Sequence, residues 1–308
     1  MRVLVTGAGG FVGRHLVPHL GAAGHAVTAT ARGGGPAMLR LDDASADADW
    51  AAALSGQEAV VHVAGLAHRL SEDPATAQAE HDRVNRDWTL RLARIARDAG
   101  VARVLFLSTI GVHPHPLPVP VTETTAIAPA SAYARAKAAA EDGLRDILGG
   151  ASLVILRPPL VHGDGAPGNL ARLVRLADTA LPLPFGAIRN RRTLLSVEAL
   201  CRAVAAVLAR WQVAPASGAY VLGDAAPVST AQIVAALRAG LGRPARLLPV
   251  PPALLARGLA LAGRQAMAAQ LLGDLEVDAR AFARDFAWTP EADTLASLRR
   301  LGAAARRG

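Results

Sequence analysis

The sequence is poor in lysine, tyrosine and cysteine. Only one of its 33 basic residues is a lysine, Lys137, and the other 32 are arginines. Tyrosine occurs only at Tyr133 and Tyr220, and Cys201 is the single cysteine. One cysteine cannot form an internal disulfide or a cysteine-based metal cluster. We therefore expect Cys201 to be a small apolar residue on the buried face of a helix, in a reducing cytoplasm.

Other absences exclude further classes of protein. No uncharged apolar run reaches the length of a membrane span, and no signal peptide is evident at the N-terminus. The nine histidines lack the spacing of a metal site, and no G-x-S-x-G turn of an acyl hydrolase is present. His113 and His115 lie in a proline-rich loop, where we expect solvent exposure, with substrate contact as the alternative, rather than metal binding.

The remaining composition is that of a globular protein. Hydrophobic residues make up 52% of the 308 residues and charged residues only 19%. The net charge of +8 favours anionic partners. The arginines are dispersed with few aromatic residues among them, so the pattern of a single-stranded nucleic-acid binder is missing. We expect no nucleic-acid or membrane partner, and favour a small substrate that carries a diphosphate.

Strand-like and helix-like segments alternate through the first half of the chain. This alternation predicts an α/β fold with a doubly wound parallel sheet and helices on both faces. We predict a dinucleotide-binding lobe over residues 1–160 and a smaller, mixed substrate lobe over 161–308, with some later segments returning to the first lobe. We expect the amphipathic stretch Pro252–Leu272 to pack within the second lobe rather than lie on a membrane surface. The predicted strands are Arg2–Thr6, His25–Ala31, Glu58–Val63, Val101–Ser108 and Ser152–Leu156, and the clearest predicted helices are Phe11–Ala23, Asp87–Ala99 and Ser131–Leu148.

A glycine-rich turn joins the first predicted strand to the first predicted helix. Gly7 permits the tight turn, Gly10 lets the backbone approach a pyrophosphate, and Gly13 allows close contact between helix and strand. The helix that begins with Phe11 and Val12 then points its N-terminus at the anion. The strand before and the helix after make this a prediction of dinucleotide binding.

The end of the second predicted strand bears on the choice of cofactor. NAD sites usually place an acid there for the ribose 2′-hydroxyl, whereas an arginine accommodates the 2′-phosphate of NADP. This chain has Ala31 followed by Arg32, with no acid. NADP is therefore favoured, with NAD possible. Asp42 follows the next short strand and is placed to bind adenine, with Asp43 as its competitor.

The only lysine follows one of the two tyrosines by four residues, in Tyr133-Ala-Arg-Ala-Lys137. On a helix these two side chains share a face. A nearby cation stabilises a phenolate and lowers a tyrosine pKa. We therefore predict that Tyr133 is an acid/base group activated by Lys137.

With these motifs in place, the chain resembles the extended short-chain dehydrogenase/reductase family over essentially its whole length. The resemblance implies that Thr109 is the active-site hydroxyl residue, with Ser108 as its close competitor for contact with the substrate. It also implies that Lys137 and Tyr133 contact the nicotinamide ribose. His162 stands where the family usually has a tyrosine. Further cofactor contacts implied by the resemblance are Ala64, Gly65, Asn85 and Pro158.

The second half is similar to the branch of this family that acts on nucleotide-diphosphate sugars. Asn169 resembles the asparagine at a helix start that contacts the substrate diphosphate. Arg192 resembles the arginine that holds the same diphosphate, and a guanidinium fork suits phosphate bidentately. The resemblance also implies a homodimer through a bundle of the helices near 87–99 and 131–148.

Three functional hypotheses follow. The first is an NADPH-dependent 4-ketoreductase of a nucleotide sugar, with Tyr133 donating the proton, Lys137 lowering its pKa and Thr109 orienting the sugar oxygen. The second is a UDP-hexose 4-epimerase that uses bound NAD and the same residues. The third, a non-catalytic dinucleotide-binding protein, is disfavoured because the Tyr133/Lys137 pair is kept. A 4,6-dehydratase is disfavoured because Ile110 and Gly111, rather than an acid pair, follow Thr109.

Overall fold

The computed structural model describes residues 1–67, 73–114, 116–149, 153–211 and 218–307. His115 and Ser152, which the sequence predictions mention, lie outside these residues. Within the described chain, no helix combines the length and apolarity that crossing a bilayer requires. Nor do any three His, Cys, Asp or Glu side chains of these residues cluster as a metal site requires.

A seven-stranded parallel sheet forms the centre of the molecule, in the order β3-β2-β1-β4-β5-β6-β9. This confirms the predicted α/β fold. The central strands read as continuous apolar runs because both of their faces are covered. The strands are β1 (Arg2–Thr6), β2 (Ala26–Ala31), β3 (Met38–Arg40), β4 (Ala59–His62), β5 (Val104–Leu107), β6 (Leu153–Arg157), β7 (Val161–His162), β8 (Leu195–Ser196) and β9 (Gly218–Val221), with β7 and β8 forming a separate parallel pair.

Helices pack on both faces of the sheet. Along β1 the side chains alternate, so that Val3 and Val5 face one helical layer and Leu4 faces the other. The first layer contains α1, α7 and α11, and the second contains α2, α4 and α5. The helices are α1 (Phe11–Ala22), α2 (Asp47–Leu54), α3 (Pro74–His81), α4 (Trp88–Asp98), α5 (Ala132–Leu148), α6 (Gly168–Ala177), α7 (Val197–Arg210), α8 (Thr230–Gly240), α9 (Pro252–Leu261), α10 (Gln265–Leu272), α11 (Arg280–Phe286) and α12 (Thr294–Ala305).

One strand and one long helix after residue 160 return to the first sheet and its helical layer. β9 adds to the edge of the sheet beside β6, and α7 packs directly on α1. Cys201 is buried on α7, where burial raises the pKa of its thiol to about 12. A second core is built by α6, α8 and α12.

The stretch expected as one packed helix in the second lobe differs from the prediction. It divides into α9 and α10 at Gly263, which has φ of 67°. No residue of α9 is buried, and only Leu255 and Leu272 pack partly against the second core.

Candidate active site

The glycine turn after β1 is closely packed against its surroundings. A Cβ atom on Gly13 would lie 2.2 Å from the carbonyl oxygen of Gly7, and one on Gly7, which has φ of 73°, would lie 2.7 Å from the Ala64 backbone. Gly10 precedes the first residue of α1 and provides no side-chain cap for the helix. The first backbone N–H groups of α1 are thus left for an anion, as the sequence predicts for a dinucleotide cradle.

A cavity of about 550 Å³ lies beyond the carboxyl ends of β1, β2 and β4. Two oxygen atoms of residues that line it, Thr30 Oγ1 and Glu80 Oε2, are buried without a hydrogen-bond partner. Buried polar groups are normally paired, so the cavity fits a ligand with hydrogen-bond donors, such as the adenosine half of NAD(P). The predicted cofactor residues that line this cavity are Gly7, Gly10, Arg32, Asp42, Ala64 and Gly65.

Glu80 and Arg83 are cavity residues that the sequence analysis missed. Arg83 pairs with Asp43, and both residues line the cavity. Glu80, Val84 and Trp88 follow one another at intervals of four residues and all line the cavity. That spacing on a helix face was the available signal, but nothing in the sequence shows which face meets the cofactor.

A chain of hydrogen bonds runs beneath the cradle through His62. The Thr89 hydroxyl donates its one proton to the Asn85 carbonyl oxygen at 2.9 Å, so it accepts from His62 Nε2 at 3.0 Å. His62 Nδ1 therefore accepts from the Thr6 hydroxyl at 2.7 Å. Burial, with a smaller contribution from the charge of Lys137, lowers the pKa of His62 to about 3. A neutral imidazole thus fixes the end of β1 to the helix that follows β4.

Asn85 clamps the loop that lines the cavity after β4. Its side-chain oxygen accepts from Leu66 N at 2.9 Å and its amide donates to Leu66 O at 3.0 Å. It lies in a π-helical turn, Asp82–Asp87, between α3 and α4. Such turns occur frequently at functional sites. Asn85 is fully buried and does not line the cavity, so in this structure it positions the loop.

Lys137 is buried between the sheet and the cavity wall. Its ammonium donates to the Leu107 carbonyl oxygen at 2.8 Å and lies 4.3 Å from the centre of the Phe106 ring. A Cβ atom on Gly65 would lie 3.4 Å from Lys137 Nζ, so the ammonium adjoins the cofactor cavity. Burial lowers the Lys137 pKa to about 7, and the carboxylate of Glu141 partly offsets this.

The predicted effect of Lys137 on Tyr133 is not what the structure shows. Burial raises the pKa of Tyr133 to about 12, and no charged group lowers it. The reason is that the Lys137 ammonium points to the end of β5 rather than to the phenol. The Tyr133 ring instead makes an edge contact with His81, with 5.8 Å between ring centres.

The two hydroxyl residues at the end of β5 have different surroundings. Ser108 is buried and donates to Glu141 at 2.5 Å, so its hydroxyl proton is already engaged within the protein. Thr109 is half-buried, and its hydroxyl accepts from the Gly111 N–H at 3.1 Å. A Cβ atom on Gly111 would lie within 3.7 Å of both Thr109 and Ala134, which places Thr109 beside the first turn of α5.

A buried ion pair supports this end of the sheet. Arg157 donates to the two carboxylate oxygens of Glu141 at 3.0 and 2.5 Å, and both side chains are nearly inaccessible. Arg157 also donates to His113 Nε2 at 3.1 Å. The expectation that His113 is exposed is therefore wrong: His113 is 1% exposed, and burial lowers its pKa. Pro158, beside Arg157, is buried and accepts from Ile110 N at 2.9 Å.

The two residues predicted to hold a diphosphate lie near the end of α10, outside the 550 Å³ cavity. Asn169 is exposed at the start of α6 and donates to the Gln270 side chain at 2.7 Å. Arg192 donates to the Gly273 carbonyl oxygen at 2.8 Å. Burial lowers the pKa of Arg192. Both side chains thus contact one segment of the second lobe.

The histidine that replaces the family's usual tyrosine is fully buried. His162 Nε2 and Asp224 are 3.2 Å apart, and Asp224 also accepts from Ser196 N at 3.1 Å and from the Thr294 hydroxyl at 3.3 Å. His162 therefore joins β7 to the second lobe.

Comparisons with known proteins show the family of this chain. The model of the NAD dependent epimerase/dehydratase family matches residues 3–223, which is most of the chain. The UDP-glucose 4-epimerase of Vibrio cholerae is 32% identical over 302 residues, covering 94% of this chain and 90% of the relative. This chain belongs to the NAD dependent epimerase/dehydratase family.

Solved structures of similar proteins share the fold over the full length. UDP-N-acetylglucosamine 4-epimerase from Bacillus cereus superposes with a TM-score of 0.80 at 18% identity, covering 100% of both chains. MoeE5 in complex with UDP-glucose and NAD superposes with a TM-score of 0.76 at 25% identity, covering 100% of this chain and 99% of that one. The fold of this chain is thus shared with these proteins over its full length.

Proposed function

We propose that this member of the epimerase/dehydratase family is a 4-ketoreductase of a nucleotide-diphosphate sugar. The observation that carries the proposal is the position of the chain's only lysine. Lys137 adjoins Gly65 in the wall of the cofactor cavity, one helical turn from Tyr133, and Thr109 lies beside the same turn of α5. Arginine occupies 32 of the 33 basic positions. A lysine at this one position therefore indicates that the site needs a compact ammonium rather than a guanidinium.

The proposed roles divide between proton transfer and orientation. NAD(P) supplies the hydride for C4 of the sugar. Tyr133 donates the proton to the oxygen on C4, Thr109 orients that oxygen, and Lys137 contacts the nicotinamide ribose. A phenol whose pKa is about 12 stays protonated at neutral pH, which is the state that a proton donor needs.

For the cofactor, we propose a preference for NADPH. No acid lies at the end of β2, and Arg32, which follows that strand, lines the cavity, whereas Arg83 is already paired with Asp43. Arginine suits the 2′-phosphate that distinguishes NADP from NAD. The unpaired oxygens of Thr30 and Glu80 accept hydrogen bonds from the adenosine half, and Asp42, which also lines the cavity, binds the adenine.

The substrate diphosphate is proposed to bind between α6 and the end of α10. Asn169 and Arg192 contact Gln270 and Gly273 there, and a diphosphate would replace these contacts with charge-assisted hydrogen bonds. A half-buried guanidinium holds an anion more strongly than an exposed one because the surroundings screen it less.

A UDP-hexose 4-epimerase is the second candidate, and the Vibrio cholerae relative favours it. An epimerase must first remove the proton from the sugar hydroxyl, which requires Tyr133 to be deprotonated. The same three residues could serve both reactions, so what favours the NADPH-dependent reductase is that Arg32, rather than an acid, follows the end of β2.

The test compares two substrate and cofactor pairs with purified protein. A UDP-4-keto-6-deoxy-N-acetylhexosamine with NADPH should be reduced, and UDP-glucose with NAD⁺ should not be epimerised. Tyr133→Phe should lower kcat by about 10²–10⁴-fold. Tyr220→Phe is the matched control, because this other tyrosine donates to Asp285 outside the site. Retained NAD⁺ together with interconversion of UDP-hexoses would establish the epimerase.

We also propose a homodimer formed by α4 and α5 of each copy. These two helices pack against each other within one chain, and the pairing would join them in a four-helix bundle. Sedimentation of the purified protein at micromolar concentration would show a mass of about twice 31.7 kDa.

A further inference from the structure

The helix α9 is apolar but exposed. None of its ten residues is buried, although most of them are leucine or alanine. Leu254 is 55% exposed and Leu261 is 91% exposed. A helix that is apolar on most sides is normally covered, so a partner is expected on this surface.

Exposed leucines continue beside the start of α9. Leu248 is 49% exposed and Leu181 is 66% exposed. The backbone N–H of Leu248 donates to the Leu183 carbonyl oxygen at 2.8 Å, which holds the two segments together. We call Leu181, Leu248, Leu254 and Leu261 the leucine surface. Large exposed apolar patches usually mark sites of interaction.

The charge along the segment that contains Leu248 and α9 has one sign. The sequence contains no Asp or Glu between residues 225 and 273, whereas arginines occur at 238, 243, 246, 257 and 264, of which Arg238 is buried. Arg243 pairs with Asp178 at 2.9 Å. No ion pair joins Arg246, Arg257 or Arg264 to an acidic group in the described part of the chain.

We propose that the leucine surface docks onto an anionic membrane, with α9 lying in the plane of the lipid headgroups. Leucine combined with arginine, without acids, is the composition of segments that bind at membrane interfaces. Between 240 and 272 the only polar side chains are four arginines and two glutamines.

A second copy of the chain fits this surface less well than lipid does. A two-fold contact places the same patch on both sides of the interface. The arginines of one copy would then face those of the other with no acid between them, and such like-charge contacts are unfavourable. Anionic headgroups complement the charge of the same arginines, and the leucine side chains would be buried in the acyl region of the bilayer.

The experiment measures sedimentation of the full-length protein with vesicles. Phosphatidylcholine vesicles with and without phosphatidylglycerol are compared at 0.1 M and 0.5 M salt. The wild-type chain should sediment with the anionic vesicles only, and high salt should weaken the binding. The apolar variant is Leu254→Glu with Leu261→Glu, and the charge variant is Arg257→Gln with Arg264→Gln. The control is Val119→Glu, a substitution at a 63% exposed apolar residue outside the surface.

The apolar variant should lower the partition coefficient at least a hundredfold, since each buried leucine contributes about tenfold or more. The charge variant should lower it about 25-fold, at about fivefold for each arginine. The control should bind as the wild type does. Unchanged thermal midpoints and NADPH affinity will show that each variant is folded.

Three outcomes would overturn the proposal: no binding to anionic vesicles, equal binding to neutral vesicles, or binding that survives both double substitutions. A change of sedimenting mass caused by Leu254→Glu and Leu261→Glu without lipid would assign the surface to a second copy instead. Because no residue of the proposed active site is changed, failure here leaves the proposed reductase activity untouched.

Discussion

Replacing Lys137 with methionine should change the pH dependence of stability of the cofactor-free protein. Lys137 is 3% exposed, and burial lowers its pKa from 10.5 to about 7. The unfolded chain keeps the ordinary pKa, so between these values the unfolded lysine binds a proton that the folded lysine does not. Lys137 therefore lowers the free energy of unfolding by its full amount below about pH 7. This destabilisation decreases as the pH rises towards 10.5.

The size of the effect follows from the two pKa values. Their difference of about 3.5 pH units, at about 1.4 kcal/mol per unit, sets an upper limit of about 5 kcal/mol at pH 6. Between pH 7.5 and 9.5 the unfolding free energy of the wild type should rise by up to about 3 kcal/mol relative to that of Lys137→Met. At pH 6 the methionine variant should be the more stable protein.

Urea unfolding measured by tryptophan fluorescence at several pH values tests this prediction. Trp50 and Trp88 are buried in contact beneath the cofactor cavity and report on the core. At each pH, the unfolding free energy of Lys137→Met is subtracted from that of the wild type, which removes the contributions of the other titrating groups. Arg135→Met, at an exposed position on the same helix, should show no such pH dependence. A difference between wild type and Lys137→Met that stays constant from pH 7 to 9.5 would refute the reasoning.

Three further substitutions test the cradle, the buried ion pair and the proposed diphosphate site. Gly13→Ala should abolish NAD(P)H binding, measured by titration calorimetry, because its Cβ would lie 2.2 Å from a carbonyl oxygen; Gly21→Ala, where a Cβ meets nothing within 4 Å, should bind normally. Glu141→Ala should lower the unfolding free energy by about 3–5 kcal/mol by leaving a buried guanidinium unpaired. Asp142→Ala, on a 79% exposed side chain, should change it by less than about 1 kcal/mol in the same urea titration. Arg192→Lys should raise KM for the nucleotide sugar about tenfold with little change in kcat, and an unchanged KM would remove this arginine from the site.

The alternation of strands and helices was enough to predict the doubly wound sheet, because buried parallel strands and amphipathic helices have different sequence periods. The sequence predicted only that some segments after residue 160 return to the first lobe. It did not identify β9 as the edge strand, since a four-residue strand carries little periodic signal. The split between α9 and α10, and the exposure of α9, could not be predicted. An apolar helical pattern shows which side chains are apolar, and only the packing of neighbouring elements decides whether they are covered.

For the candidate site, the sequence identified the glycine cradle and the Tyr133/Lys137 pair because both depend on short-range spacing. It left Ser108 and Thr109 as competitors, and only the position of Glu141 on the neighbouring helix separates them. It also predicted the wrong direction for the pKa of Tyr133. The pKa depends on burial and on where the lysine points, and both are properties of the packed structure.

The sequence by itself determined the fold class and the location of the dinucleotide cradle. It also indicated that the chain's only lysine belongs to the proposed active site. These features follow from local conformation. A turn that requires glycine, or two side chains one helical turn apart, depends only on residues that are close together in the sequence. The tertiary structure alone decided that Glu80 and Arg83 line the cofactor cavity, that His113 is buried against Arg157 and that α9 remains exposed. Those features join elements that are distant in the chain, and their surroundings exist only once the sheet and both lobes have packed.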